Sequence, residues 1–289
     1  MARASFILAA LVALAATLIA SQPNARRIAF LVGALAGRAI PAPLRPLVPF
    51  LPRLNGGGRE AAAAAYVLAH SPPGNVSAAI AAFEAYATSE AWMMAVGPVK
   101  GAIVQGALAG TAAHKVLELG TYCGYGAMLL ATAAAPDAHI YSVEVDPEFA
   151  GVARSILAHA GLGERVTVLE GALGSHLPSL AAAHPAGPLD FVFVDHDKAA
   201  YLPDVTTLLR TPGLVREGEG NGTVLAVDNL LLPGSPAMVA WLKTRPPGAL
   251  ETAWHETEVE FVKGIPDLVS VSRVLDVGAA LGEGGAKGE

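Results

Sequence analysis

A single cysteine, Cys123, stands in the whole chain, which excludes an internal disulfide framework and fits a reducing compartment. No C-x-x-C, H-E-x-x-H or G-x-S-x-G occurs, so the signatures of a dithiol redox site, a zinc metalloprotease and a serine-hydrolase elbow are missing. The eight histidines are scattered without ligand spacing, and all but His196 read as surface or capping residues. No internal repeat is present. Charged residues make up only 15% against 53% hydrophobic, the balance of a globular body with a large core plus a greasier segment.

Acidic residues are also absent from the first 59 positions, where seven arginines stand (3, 26, 27, 38, 45, 53 and 59). The remaining 230 residues hold 12 basic and 25 acidic side chains, so +7 on the leader meets −13 on the body to give −6. A basic apolar leader on an acidic body argues for a membrane tether and against nucleic-acid binding, which needs a basic body. Phe6 to Ala20 is apolar apart from Thr17, at or below the lower limit for a spanning helix, which usually needs about 20 residues. Residues 1–27 therefore read as a retained membrane anchor or as a secretory signal segment cleaved after Ser21. Arg26, Arg27 and Arg38 outnumber Arg3, which favours the anchor, with the body on the cytoplasmic side; secretion after cleavage is the alternative. Residues 28–59 form a linker, stiffened by prolines at 41, 43, 46, 49 and 52 and loosened by Asn55-Gly-Gly-Gly58. The folded domain is expected over 60–276, followed by a Gly-, Ala- and charge-rich disordered tail over 277–289. Nothing in the sequence sets an oligomeric state.

Within the body, helical patterns come first: Glu60–His70, Val76–Glu90 and Val99–Ala109. Strands at 115–119, 139–145, 165–170, 189–195 and 222–228 then alternate with helices near 126–135, 147–160, 175–184, 199–210 and 236–244. Apolar strands alternating with helices define an α/β fold, a doubly wound and mostly parallel sheet covered on both faces. Thr252–Phe261 and Leu268–Leu275 read as a closing antiparallel pair. In such a sheet ligands bind beyond the carboxyl ends of the strands.

The first of those ends is the most informative. Val116-Leu-Glu-Leu119 runs into glycines at 120, 124 and 126 and then into a helix, so a ligand can approach bare backbone at a helix N-terminus. Glu144, 24 residues beyond Gly120 and at the end of the next strand, is placed to take both hydroxyls of a ribose. The spacing is G-x-x-x-G-x-G, not the G-x-G-x-x-G that fits a pyrophosphate, which argues against a nicotinamide dinucleotide. A nucleoside without a diphosphate is expected instead, with S-adenosylmethionine as the candidate.

Two further strands deliver chemistry. Leu189–Val194 ends in Asp195-His-Asp-Lys198, and Val224–Val227 ends in Asp228-Asn229. Asp195, Asp228 and Asn229 offer three oxygen ligands without a thiolate or a histidine pair, which suits Mg²⁺ better than Zn²⁺. A dication beside Lys198 would repel its ammonium charge and let the amine act as a base near neutral pH. Glu260 ends the strand-like stretch Glu256–Glu260 and would reach the same rim.

With these residues in place, the segment from Trp92 to Phe261 resembles the catechol O-methyltransferase family, whose members are Mg²⁺-dependent, use S-adenosylmethionine and methylate one hydroxyl of a catechol ring. The motifs are V-G-P-V-K-G (Val96–Gly101), L-E-L-G-T-Y-C-G-Y (Leu117–Tyr125), V-D-H-D-K (Val194–Lys198), Y-L-P-D (Tyr201–Asp204) and D-N-L-L-L-P-G (Asp228–Gly234). The membrane-bound form of that family also carries a short N-terminal anchor, and its fold is the Rossmann-like class I methyltransferase fold. The resemblance implies that Val96, Glu118, Gly120 and Tyr122 hold the methionine end of the cofactor, with Gly126 beside its carboxylate. It implies Glu144 at the ribose, His196 near the adenine, and Asp195 at the junction of cofactor and metal. Asp195, Asp228 and Asn229 match the metal ligands, Lys198 the general base, and Glu260 the carboxylate that holds the second substrate hydroxyl. Trp92, Met94 and Pro233 match the pocket wall.

The chain departs from that pattern in several places. Asp197 stands where the catechol enzymes usually have tryptophan, Leu173-Gly174 replaces a Ser-Gln pair, Gly126 replaces a serine and Ala95 an asparagine. An insertion, Glu217–Asn221, lengthens the loop before the Asp228 strand. The small-molecule partner that the resemblance implies is a catechol or other vicinal diphenol. The alternatives are a broader Mg²⁺-dependent phenolic methyltransferase, acting on hydroxycinnamoyl or flavonoid catechols, and a non-catalytic anchored scaffold.

Overall fold

The computed structural model describes residues 58–261 and 264–283, so the leader and most of the linker lie outside the described residues. Three helices come first: α1 (Arg59–His70), α2 (Val76–Ser89) and α3 (Gly97–Ala109). The alternating part follows as β1 (Lys115–Leu119), α4 (Tyr125–Ala133), β2 (His139–Glu144), α5 (Pro147–His159) and β3 (Val166–Glu170). Next come α6 (Leu177–Ala182), β4 (Phe191–Val194), α7 (Tyr201–Arg210), β5 (Val224–Val227) and α8 (Pro236–Lys243). The strands β6 (Leu250–Glu258) and β7 (Pro266–Val274) and the short helix α9 (Val277–Leu281) complete it.

The strands form one seven-stranded sheet in the order β3-β2-β1-β4-β5-β7-β6. β1 to β5 are parallel, while β7 runs antiparallel to both β5 and β6. This is the expected doubly wound sheet with its closing antiparallel pair. Side chains alternate across it, as successive strand residues must. Phe191 and Phe193 of β4 join Phe83, Met128 and Ile156 on one face, and Val192 and Val194 join Leu208, Met238 and Trp241 on the other. Two apolar layers therefore bury β4 on both sides, which is why its sequence, Phe-Val-Phe-Val, shows no polar alternation.

Local signals explain several helix starts. Asn75 Oδ1 accepts from Ala78 N at 3.0 Å to open α2, and Asp146 Oδ1 accepts from Glu148 N at 2.8 Å to open α5. Asp276 does the same for α9, with Ala279 N at 2.8 Å. The tail expected to be disordered from 277 therefore begins as a capped helix over Val277–Leu281. Its composition concealed a short Val-Gly-Ala-Ala-Leu turn behind an aspartate cap. A second difference lies at Glu260. β6 ends at Glu258, so Glu260 sits in the turn beyond the strand rather than on it. Among the described residues no helix is long and apolar enough to cross a membrane, and the candidate anchor at 6–20 lies outside them.

Candidate active site

The glycine turn at the end of β1 is shaped by neighbours that leave no room for a side chain. Gly120 has φ +100° and donates its N–H to Val143 O at 2.9 Å; a Cβ there would collide with the Asp195 carbonyl oxygen. Tyr122 (φ +47°) and Gly124 (φ +83°) complete the turn, and Gly124 opens α4. Glu144, buried at the end of β2, accepts Tyr122 N at 2.8 Å on one oxygen and Asp146 N at 2.9 Å on the other. Each carboxylate oxygen keeps a second lone pair for a ligand.

Beneath this turn Glu118 is fully enclosed. The Ser142 hydroxyl donates to its Oε2 and lies 2.5 Å from the Thr121 hydroxyl. A Cβ at position 126 would strike Glu118 Oε1, so glycine in place of serine is the residue that admits this carboxyl. Burial, aided by the charges of Asp195 and Glu144 against the Ser142 hydrogen bond, pushes the Glu118 carboxyl up to about 8. The unfolded chain ionises it near the ordinary 4.5, so unfolding releases a proton between the two values. Stability should therefore fall as pH rises from about 4.5 to about 8. Glu118→Gln, which cannot ionise, is expected to flatten that stretch of a melting-temperature curve for the cofactor-free protein. An unchanged slope would mean that Glu118 is ionised in the fold.

The Tyr122 hydroxyl donates to Glu60 Oε1 at 2.7 Å, and burial is the largest cause that raises its phenol well above the ordinary range. Glu60 is paired in turn with Arg59 at 2.7 Å, whose guanidinium lies 5.9 Å from the centre of the Trp92 ring. Trp92 Nε1 donates to Glu260 O at 3.3 Å. The first turn of α1 thus spans from the glycine turn to the candidate pocket wall. His196 bonds Asp204 Oδ2 through Nε2 at 2.9 Å and stacks on Tyr201 at 5.1 Å, while its buried Nδ1 has no hydrogen-bond partner among the described residues.

Asp195 and Asp228 lie side by side because their strands end in register. Val194 pairs with Val227, and Asp228 N donates to Val194 O at 3.1 Å. Lys198 Nζ donates to Asp195 Oδ1 at 2.9 Å and meets the Tyr201 hydroxyl, which lies 3.2 Å from Asp228 O. Asn229 takes a left-handed conformation, φ +52°, and donates Nδ2 to Asp267 Oδ2 at 2.9 Å. The Lys100 ammonium lies 2.9 Å from Asp228 Oδ2 and 3.1 Å from Asp267 Oδ2, and also pairs with Glu260 Oε2. Burial alone would depress Lys100; the charges of Asp228, Glu260 and Asp267 outweigh it and hold the ammonium above the ordinary lysine range. Burial raises Asp228 to about 8, with Asp195 adding to the rise and Lys100 opposing it. Glu260 is raised as well, chiefly by burial.

Asp195, Lys198, Asp228 and Asn229 are therefore gathered at one edge, as the strand ends required, and Lys100 joins Glu260 to them. Val96 is buried immediately before α3, and Gly97 packs against Glu260, where a Cβ would come within 2.8 Å of the Glu260 Cβ. Met94 is half-buried against the α1–α5 side of the core, and Pro233 lies in the Leu230–Gly234 turn whose backbone is tied to Asp267. Among the described residues no three His, Cys, Asp or Glu side chains form a metal-holding group; the expected ligand set has two carboxylates and an amide. Sequence reasoning missed Lys100, Asp267, Tyr201 and Glu60. Lys100 and Tyr201 stood inside the motifs quoted above, but no nearby residue marked them.

The sheet order, the glycine turn at β1 and the acidic ends of β4 and β5 define a Rossmann-like methyltransferase fold with its candidate site at the carboxyl edge. The chain belongs to the O-methyltransferase family, whose model matches residues 80–240. It is 39% identical over 224 residues to a probable O-methyltransferase of Mycobacterium tuberculosis, covering 76% of this chain and 94% of the relative. It is 35% identical over 215 residues to the catechol O-methyltransferase of Mus musculus, covering 74% of this chain and 78% of the relative. An O-methyltransferase from Streptomyces achromogenes, solved in complex with S-adenosylmethionine, superposes with a TM-score of 0.55 at 22% identity, covering 78% of this chain and 92% of that one.

Proposed function

We propose that this protein moves a methyl group from S-adenosylmethionine to one hydroxyl of a catechol-type ring, with Mg²⁺ bound and Lys198 as the base, and that its leader tethers it to a membrane. The observation that carries the reading is the convergence of Lys198, Asp195, Asp228, Asn229 and Glu260 beside the Glu144 turn. The relative named catechol O-methyltransferase supports the substrate class. The tether rests on the arginine asymmetry of the leader.

The donor set fits a hard dication: Asp195 and Asp228 are adjacent carboxylates, and Asn229 adds an amide oxygen, its Nδ2 being given to Asp267. Asp195, Asp228 and Asn229 would hold Mg²⁺, which would supply positive charge to lower the pKa of the attacking hydroxyl, and S-adenosylmethionine would supply the methyl group on its sulfonium. Glu144 accepts the ribose hydroxyls on the lone pairs that the turn leaves open. Lys198 takes the proton of the attacking hydroxyl, and Glu260 accepts from its neighbour, which selects the oxygen that reacts. Trp92, Met94 and Pro233 wall the ring, and holding ring and sulfonium in contact supplies most of the remaining gain.

One observation favours a second reading. Asp197, where the catechol enzymes have tryptophan, is exposed and accepts from Ala199 N at 3.1 Å as a turn residue. A pocket without that aromatic wall suits larger phenolic acceptors, such as hydroxycinnamoyl or flavonoid catechols.

Calorimetry tests the cofactor half. Wild-type protein is expected to bind S-adenosylmethionine, and Glu144→Ala to weaken that binding by about 1–3 kcal/mol, the cost of unpaired ribose hydroxyls. Unchanged affinity in the variant, or tight NAD binding by the wild type, would remove the assignment.

A further inference from the structure

Lys100 and Asp267 take no part in the chemistry above, yet both are buried at its centre, each only 1% exposed. They come from opposite parts of the chain, 167 residues apart. We propose that they are positioning residues: Asp267 fixes the Asn229 amide so that its oxygen faces the cation, and Lys100 ties Asp228 to Glu260 and sets the charge of the site for a dication. This rests on the function proposed above.

The geometry of Asp267 supports the first half. Its Oδ1 accepts Leu231 N and Leu232 N at 3.2 Å and Leu268 N at 2.8 Å, which clamps the loop after Asn229 to the start of β7. Its Oδ2 accepts both Lys100 Nζ at 3.1 Å and Asn229 Nδ2 at 2.9 Å. An amide turned the other way would set two acceptors against each other and present N–H groups to the cation. Asp267 therefore dictates which amide atom the site receives. Partners behind a metal ligand commonly tune it in this way.

Lys100 supports the second half. Its ammonium donates a hydrogen bond to Asp267 at the start of β7 and forms ion pairs with Asp228 at the end of β5 and Glu260 in the turn after β6. Burying an ammonium among carboxylates costs desolvation that packed apolar residues would avoid, so the fold alone gives little reason for it. Charge gives one. Four carboxylates (Asp195, Asp228, Glu260 and Asp267) crowd against two lysine side chains (Lys100 and Lys198), so acidic groups outnumber basic ones here. A divalent cation would complement that excess. Lys100 also links a metal ligand directly to the residue that holds the second hydroxyl.

Mg²⁺ affinity, read by calorimetry in the presence of S-adenosylhomocysteine, separates the two roles. Asp267→Asn preserves shape but sets an N–H against Asn229 Nδ2, and it is expected to weaken Mg²⁺ by about 10- to 100-fold while cofactor affinity stays as in wild type. Lys100→Met removes a positive charge and is expected to tighten Mg²⁺ several-fold while the ratio of the two monomethyl products moves toward parity, because Glu260 loses its anchor. A merely structural pair would weaken Mg²⁺ in both variants or in neither. Wild-type Mg²⁺ affinity in a folded Asp267→Asn protein, or weakened Mg²⁺ in Lys100→Met, overturns the proposal. Should Asp267→Asn not fold, Lys100→Met decides alone by the sign of its change. Wild-type protein that binds no Mg²⁺ would instead sink the function on which the proposal rests.

Discussion

Lys198→Ala is expected to lower kcat by about 10²–10⁴, the usual weight of general-base catalysis, with cofactor affinity unchanged. The Lys198 amine is 2.9 Å from Asp195 Oδ1 and in contact with the Tyr201 hydroxyl, which itself touches the carbonyl of Asp228. The base is thus held against the proposed ligand set from two sides. Among the described residues no hydrogen bond or ion pair joins it to Glu144 or the glycine turn, so the loss should fall on kcat and not on the cofactor dissociation constant. A variant as fast as wild type would remove Lys198 from the mechanism, and a variant that lost cofactor binding as well would mean a structural role.

Removal of divalent metal is expected to have the largest effect of all: EDTA should abolish turnover, and added Mg²⁺ should restore it. A phenolic hydroxyl with a pKa of about 10 is a poor nucleophile at neutral pH. The two lysines of the site are both engaged by carboxylates, so neither offers free positive charge to an incoming oxyanion. Burial also disfavours the charge on Asp228, a cost that a bound dication would offset. Kinetics with chelator, then with graded Mg²⁺, check this directly. Full turnover in EDTA would contradict it.

Most of the sheet was legible because its signals are local. The apolar run of β4 and the glycine-to-helix switch after Leu119 each carry their own meaning within about ten residues. Strand ends also placed Asp195, Lys198, Asp228 and Asn229 at one edge, since parallel strands in register must finish together. Lys100 and Asp267 could not be read this way. A lysine in the first turns of a helix and an aspartate at the start of a strand are ordinary surface signals. They become a buried pair only because β7 inserts beside β5 and carries Asp267 to the Asn229 loop, a long-range event without a local trace. Glu260 was foreseen at the rim but on a strand. The turn that carries it packs on Gly97, a contact invisible in the Glu256–Glu260 alternation.

The central claim is methyl transfer to one of two adjacent hydroxyls under chelation. The most direct measurement incubates the protein with methyl-labelled S-adenosylmethionine, Mg²⁺ and, in separate reactions, the 1,2-, 1,3- and 1,4-dihydroxy isomers of one ring. Label should appear on a single oxygen of the 1,2-isomer alone and vanish when Mg²⁺ is withheld. Equal labelling of all three isomers, or no label on any vicinal diphenol with cofactor and Mg²⁺ both bound, would contradict it.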